Sequence, residues 1–244
     1  MSDFEKYRRN GAYHWRQVDR RWGNPEFNPP LLARYQGLAQ LASASATKVL
    51  DVGCGDGYLL YRVSQRCPQA KLFGIDGDEV GIQLAAAQLQ QHQCPASLQQ
   101  ASAYQLPFEA GEFDLVLSAD VIEHLDDPEL AVQEMHRILQ PGGVLLISTP
   151  NRQPDRQWDP LHIREYNPDE LTDLLRPYFS RIKMRGCWAM GWMRSWLAGG
   201  RTRQVIDSLC RLGYNPFLQM TDTPSPNEGQ LMAWCQKYPA SKTD

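Results

Sequence analysis

Val49-Leu50-Asp51-Val52-Gly53-Cys54-Gly55-Asp56-Gly57 is the stretch whose reading decides the architecture. A short apolar β-type run carries an acidic residue, and three glycines follow at every second position. A helix-like run, Tyr58 to Arg66, comes next. The pattern is a strand that turns sharply into a helix. Glycine suits such a turn because it tolerates positive φ and lets a ligand approach the backbone. In open α/β sheets, ligands bind outside the carboxyl ends of the strands.

The dinucleotide fingerprint G-x-G-x-x-G fits at Gly53 and Gly55, but its third glycine falls on Tyr58, where a ring obstructs close helix–strand packing. The pattern present is D-x-G-x-G-x-G. It resembles motif I of the class I S-adenosylmethionine (SAM) methyltransferases. The resemblance implies that Asp51, Gly53, Cys54 and Gly55 line the amino-acid end of SAM.

The 244 residues, 42% of them hydrophobic, suffice for one α/β domain with its own core. The net charge of −3 argues against a general polyanion binder, though a local basic patch remains compatible with it. Six dispersed cysteines show neither C-x-x-C nor zinc spacing and read as reduced thiols. No signal-peptide core and no run of 18 apolar residues is found, so a soluble, cytoplasmic protein is expected.

Residues 1–46 open with aromatics among arginines: Phe4, Tyr7, Tyr13, His14, Trp15, Trp22 and Phe27. Either they pack on the main domain, or Tyr13-His14-Trp15 forms a lid, as in many relatives of the resembled family, with Tyr13 and Trp15 facing substrate. A helix is expected over Leu31 to Leu41. Strands are expected at Lys48–Val52, Lys71–Ile75, Ser97–Ala101, Glu112–Ser118 and Val144–Ser148, with a helix from Glu79 to Gln91 capped by Asp78 and another from Glu129 to Leu139. Asp76, at the tip of the second strand about 20 residues past the glycines, is placed to accept both hydroxyls of a ribose, with Gly77 beside it.

Ser102-Ala103-Tyr104-Gln105-Leu106-Pro107-Phe108 is similar to the family's adenine loop, with Ser102 where Asp is common; a neutral acceptor makes the weaker bond. The segment after Ser118, Asp120-Val121-Ile122-Glu123-His124, and the later Pro141-Gly142-Gly143, closely resemble the methyltransferase type 11 group, which includes the ubiquinone-biosynthesis O-methyltransferases. The resemblance covers residues 47–151. It implies a Rossmann-like, seven-stranded mixed sheet with helices on both faces. SAM is the implied cofactor, with S-adenosylhomocysteine as product, and Ser102, Ala103 and Ser118 complete the implied cofactor set.

Residues 152–244 form the substrate-side half. A loop is expected over 152–160, followed by His162-Ile163-Arg164-Glu165-Tyr166, which resembles a segment bordering the substrate pocket in small-molecule and polysaccharide-cluster methyltransferases. Strands 6 and 7, near Arg181–Gly186 and Gln230–Lys237, are expected to pair as an edge hairpin. The insertion between them, about 187–229, holds Trp188, Trp192 and Trp196 at i, i+4, i+8 and carries a basic excess. It reads as an insertion with its own small core and a solvated basic face, as a cover for an anionic or aromatic substrate that Trp188 and Trp192 touch, or as a weak membrane-surface contact.

His124 and His162 are the candidate bases, since both titrate near neutrality and follow strands 4 and 5. Arg164, Glu165 and Tyr166 are candidate substrate contacts. His92 and His136 read as structural or surface residues. No metal site is expected, because Glu123-His124 alone offers too few ligands. The reading reached is a single-domain methyltransferase acting on a small-molecule, glycan or lipid-linked acceptor, on oxygen. RNA methylation is the rival, disfavoured by the acidic charge and the absence of an RNA-binding module. A non-catalytic SAM-fold binder is the other.

Overall fold

The computed structural model describes residues 5–154 and 159–239. Phe4 and the middle of the 152–160 loop lie outside the described residues. In chain order the elements are α1 (Lys6–Asn10), α2 (Tyr13–Gln17), α3 (Pro29–Leu41), β1 (Lys48–Val52), α4 (Tyr58–Arg66), β2 (Lys71–Asp76), α5 (Glu79–Gln91), β3 (Ala96–Gln100), β4 (Phe113–Ala119), α6 (Pro128–Ile138), β5 (Leu139–Pro150), α7 (Pro168–Leu175), β6 (Arg181–Ala189), α8 (Met190–Leu197), α9 (Gly200–Arg211) and β7 (Glu228–Gln236). Single 3₁₀ turns lie at Ile122–His124 and Pro216–Leu218.

α3, α5, α6 and α7 start where short polar side chains take up free N–H groups. Asp78 accepts from Val80, Asp127 from Leu130, and Asn167 from Glu170 in a reciprocal capping box.

The seven strands run in the order β3-β2-β1-β4-β5-β7-β6. β1 to β5 are parallel, and β7 is antiparallel to both β5 and β6. This is the expected mixed sheet. The chain order reverses at β1, between β2 and β4, so the crevice above β1 is the switch point where ligands bind. The register brings Asp51, Asp76, Ala119, Ser148 and Gln230 to that edge.

Two apolar cores flank the sheet. α3, α4 and the insertion cover one face with Leu38, Leu60, Ile206 and Phe217. α6 and α7 cover the other with Met135, Ile138, Leu171 and Leu175. Each such fully buried side chain contributes about 1.5–3 kcal/mol. All six cysteines are buried free thiols.

Several boundaries shift by one or two residues, as at β2, β4 and β7, and those of β5 and β6 move further. β3 begins one residue early. β5 starts at Leu139 and takes in Pro141-Gly142-Gly143, because Leu139 pairs with Phe113 across a register shift. β6 runs on to Ala189, so Trp188 sits on a strand at φ +64° and does not share a helical face with Trp192 and Trp196.

Candidate functional site

The glycine loop is drawn tightly over the sheet edge. The Gly53 and Cys54 amides both donate to the Ile75 carbonyl, at 2.8 and 2.9 Å. Gly55 has φ +52°, and a Cβ there would collide with the Tyr7 hydroxyl. Gly55 N–H donates to Asp76 Oδ2 at 2.8 Å, and Asp78 N–H donates to Oδ1 at 2.8 Å. Burial raises the Asp76 carboxyl, opposed by those N–H bonds. A carboxylate has about four acceptor positions, so Asp76 keeps capacity for the two hydroxyls assigned to it.

Asp51 is buried and its Oδ1 has no hydrogen-bond partner. Burial, with Asp76 adding to it, pushes its carboxyl up to about 8. The buried Ser118 Oγ is also unpartnered. Cys54 is buried, and Gly77 has open space around it. Ser102 is exposed and its hydroxyl accepts from the Tyr104 amide at 3.2 Å. Ala103 is half-buried against the α6–α7 core.

The N-terminal segment closes on this loop. His14 N–H and Nδ1 both meet the buried Asp56 carboxylate at 3.0 Å, and Trp15 Nε1–H donates to the Asp56 carbonyl at 2.8 Å. The Trp15 ring is stacked on His92 at 4.4 Å and packs against Tyr58 and Tyr61. This places Trp15 in the helix layer, where it was expected to face substrate. Tyr13 faces inward. Burial first, opposed by Arg34 and then raised by Asp56, Asp120 and Asp76, pushes its phenol up to about 12.

Beside the loop, just past β4, comes Asp120, a non-glycine at φ +53°. Asp120 accepts from Arg34, from Ser148 Oγ at 2.9 Å and from Gln230 Nε2 at 2.6 Å. Burial is the largest influence on Arg34 and works against its charge, but Asp120 together with Tyr35 and Tyr13 outweighs it and holds the guanidinium protonated.

The next turn brings the two candidate histidines together. Their ring centroids lie 5.0 Å apart. His162 Nδ1 meets Glu165 Oε1 at 2.8 Å, with side chains 9% and 1% exposed. His124 Nδ1–H donates to the Leu161 carbonyl at 2.9 Å, and burial pulls its basicity down. Ile163 and Arg164 N–H both donate to the Glu123 carbonyl, which ties this loop to the end of β4. Glu123 is buried; Oε2 accepts from Thr149 Oγ1–H at 2.9 Å and Oε1 has no partner. Burial, then Asp120, raises its carboxyl well above the usual range.

The sequence counted too few metal donors here because His162 is far from Glu123-His124 along the chain. In the fold, ligand atoms of Glu123, His124 and His162 lie within 4.8 Å of one another, a set able to hold a divalent ion. Arg164 is exposed and Tyr166 is buried in the α6–α7 core, paired through its backbone to Asn151. Trp188 and Trp192 pack against the opposite core.

A family model described as a methyltransferase domain matches residues 50–147. A probable SAM-dependent methyltransferase of Mycobacterium tuberculosis is 37% identical over 146 residues, 58% of this chain and 50% of that protein. The ubiquinone biosynthesis O-methyltransferase of Pseudomonas syringae pv. tomato is 38% identical over 189 residues, 75% of each chain. This chain belongs to the class I SAM-dependent methyltransferases. It spans about half the length of several of the curated relatives it matches. The solved Haemonchus contortus phosphoethanolamine N-methyltransferase 2, in complex with phosphomonomethylethanolamine and S-adenosylhomocysteine, shares the methyltransferase fold, with a TM-score of 0.64, 17% identity and coverage of 93% and 57%.

The methyltransferase residues present fit SAM. Carboxylates of Asp56, Asp76 and Asp120 gather around the crevice beside the Asp51 carboxyl, and electrostatic complementarity favours a ligand that carries a sulfonium and an ammonium. Asp76 retains acceptor capacity, and the unpartnered Ser118 Oγ and Asp51 Oδ1 await polar contacts. Sequence reasoning missed Tyr7, Arg34, Asp56 and Asp120 as parts of this site. Asp56 and Asp120 stand inside motifs it had quoted.

Proposed function

We infer that this chain transfers a methyl group from SAM to an oxygen of a small-molecule, glycan or lipid-linked acceptor, with His162 as the base. The observation that carries the reading is the enclosed His162–Glu165 pair beside the cofactor crevice. A carboxylate only accepts, so Glu165 keeps the proton on Nδ1 and leaves the Nε2 lone pair free to take a proton. His124, held the same way by the Leu161 carbonyl, stands next to it as a second polar contact.

When bound, SAM supplies an electrophilic methyl on sulfur. The chain's part is alignment: Asp76 would hold the ribose, and the glycine loop with Asp51 the amino-acid end. Such positioning contributes roughly 7–11 kcal/mol. A base adds about 10²–10⁴-fold for a hydroxyl acceptor. The curated O-methyltransferase relative supports oxygen as the acceptor atom.

The test is methyl-labelled SAM incubated with the protein and an extract of its source organism, followed by separation of polar metabolites, glycans, lipids, RNA and protein. Label in a metabolite, glycan or lipid fraction is expected. On the acceptor so found, Glu165→Gln is expected to lower kcat about 10²-fold and to displace the pH profile, with KM for SAM little changed. SAM bound with no label in any fraction would make the chain a binder, and label in RNA would replace the acceptor class.

A further inference from the structure

The tryptophans of the insertion turn inward. Trp196 is buried and donates Nε1–H to Asp207 at 2.8 Å, while Trp192 and Met193 pack against the core. What α8 and α9 show to solvent is different. Leu197 is 64% exposed, Val205 58% and Leu212, just past α9, 76%. At 100° per residue, Arg201, Val205 and Leu212 fall within about 40° of one another around the helix axis. Ile206 and Cys210 on the other side of α9 are buried. Trp22, 67% exposed, lies near the end of α9, with Arg211 over its ring at 5.8 Å.

Arg194 and Arg201 are exposed, Arg194 about one turn before Leu197 and Arg201 about one turn before Val205. Arg203 lies over the Trp196 ring at 4.3 Å, and Arg211 reaches the backbone at Asn24 at 2.9 Å. Across α8 and α9, Asp207 is the acid facing four arginines, and Trp196 and Arg203 already engage it. The whole chain is acidic at −3, so this lobe is a positive end on a negative molecule. Arg181, Lys183 and Arg185 sit apart from this lobe on the edge strand β6, where charge protects an open edge from pairing.

We propose that the outer face of α8 and α9 docks on a bilayer bearing anionic headgroups, with Leu197, Val205 and Leu212 entering the acyl boundary and Arg194 and Arg201 meeting phosphates. Aliphatic side chains flanked by arginines match an interfacial helix face. A single-stranded nucleic acid would need planar rings to stack its bases, and this face is mainly aliphatic. A second copy docked through the same patch about a two-fold axis would bring arginine against arginine. The contact adds an address to the acceptor chemistry inferred above: it suits an acceptor carried on a lipid, yet binding can be read without any methyl transfer.

The experiment is co-sedimentation of the whole chain with vesicles of phosphatidylcholine alone, or of equal parts phosphatidylcholine and phosphatidylglycerol. Binding to the anionic vesicles, release by high salt and no binding to neutral vesicles are expected. Arg194→Gln with Arg201→Gln is expected to weaken binding about 25-fold, fivefold for each arginine. Val205→Ser with Leu212→Ser is expected to weaken it more than about tenfold. Both pairs sit on exposed positions, and circular dichroism checks that they fold. Absence of binding to anionic vesicles, or binding unchanged in both variants, overturns the proposal. So does a dimer that the serine pair dissolves while no vesicle binding is seen.

Discussion

Asp51 is the residue whose burial has the clearest consequence. In the unfolded chain its carboxyl titrates near 4; in the fold, burial and then Asp76 push it up to about 8. Between those values the folded protein holds a proton that the unfolded chain has released. Stability therefore falls as pH rises from about 4 to about 8, and levels off above. Asp51→Asn keeps the shape and removes the titration. Urea unfolding at pH 5 and pH 8 should show a shallower pH dependence in the variant and a gain of about 2 kcal/mol or more at pH 8, from about 1.4 kcal/mol per pKa unit. An unchanged slope would assign it elsewhere, to Asp76 or Glu123, which burial also raises. Asp51, Gly53, Gly55 and Asp76 were legible in the sequence because one strand–turn–helix unit and its neighbour fix their spacing. Arg34 and Asp120 were not, since 86 residues separate them and only the packing of α3 against the sheet joins them.

At the scale of elements, α1 and α2 are strapped to the glycine loop. The expectation left open whether the N-terminal aromatics pack or form a lid. The structure has Tyr7 over Gly55 and His14 on Asp56, while Trp15 sits among the helix rings. No sequence pattern marks such contacts, because they are made by single residues more than 40 positions apart. Asp56→Ala removes both bonds to His14. At about 1 kcal/mol each, this shifts the opening equilibrium of the strap by about thirtyfold. Trypsin cleavage at Arg8, Arg9 or Arg16 tracks the open population when reclosing is fast, so it should accelerate by a similar factor while the sheet core resists. Equal cleavage rates in both proteins would mean that Asp56 does not hold the strap. The insertion was legible as an interruption between β6 and β7, but its helix was misplaced: the i, i+4, i+8 spacing spanned the β6–α8 junction, and one tryptophan belonged to the strand.

Across the whole molecule, the crevice proposed for the cofactor is built from elements far apart in the chain: the loop after β1, the tip of β2, the end of β4 and the N-terminal strap. The mixed sheet and its edge hairpin were legible, through the family resemblance and the alternation of strands and helices up to β5, whereas the strand order itself was not read from the sequence. Nor was the closure of the crevice, because tertiary packing alone sets it. A ligand that binds only the folded state stabilises it by RT ln(1 + [L]/Kd), about 2.7 kcal/mol at a hundredfold excess over Kd. For a domain of this size that amounts to a rise in Tm of about 5–10 °C. SAM and S-adenosylhomocysteine should each produce such a rise, and NAD should not, given Tyr58 at the third glycine position. Asp76→Ala also removes the acceptor for the Gly55 amide, so its unliganded Tm should fall as well. The relevant quantity is each protein's shift from its own unliganded baseline. For Asp76→Ala at the same SAM concentration, that shift should nearly vanish. A full shift in the variant would mean that the ribose is held elsewhere, and that the carboxylate at the tip of β2 serves the glycine loop alone.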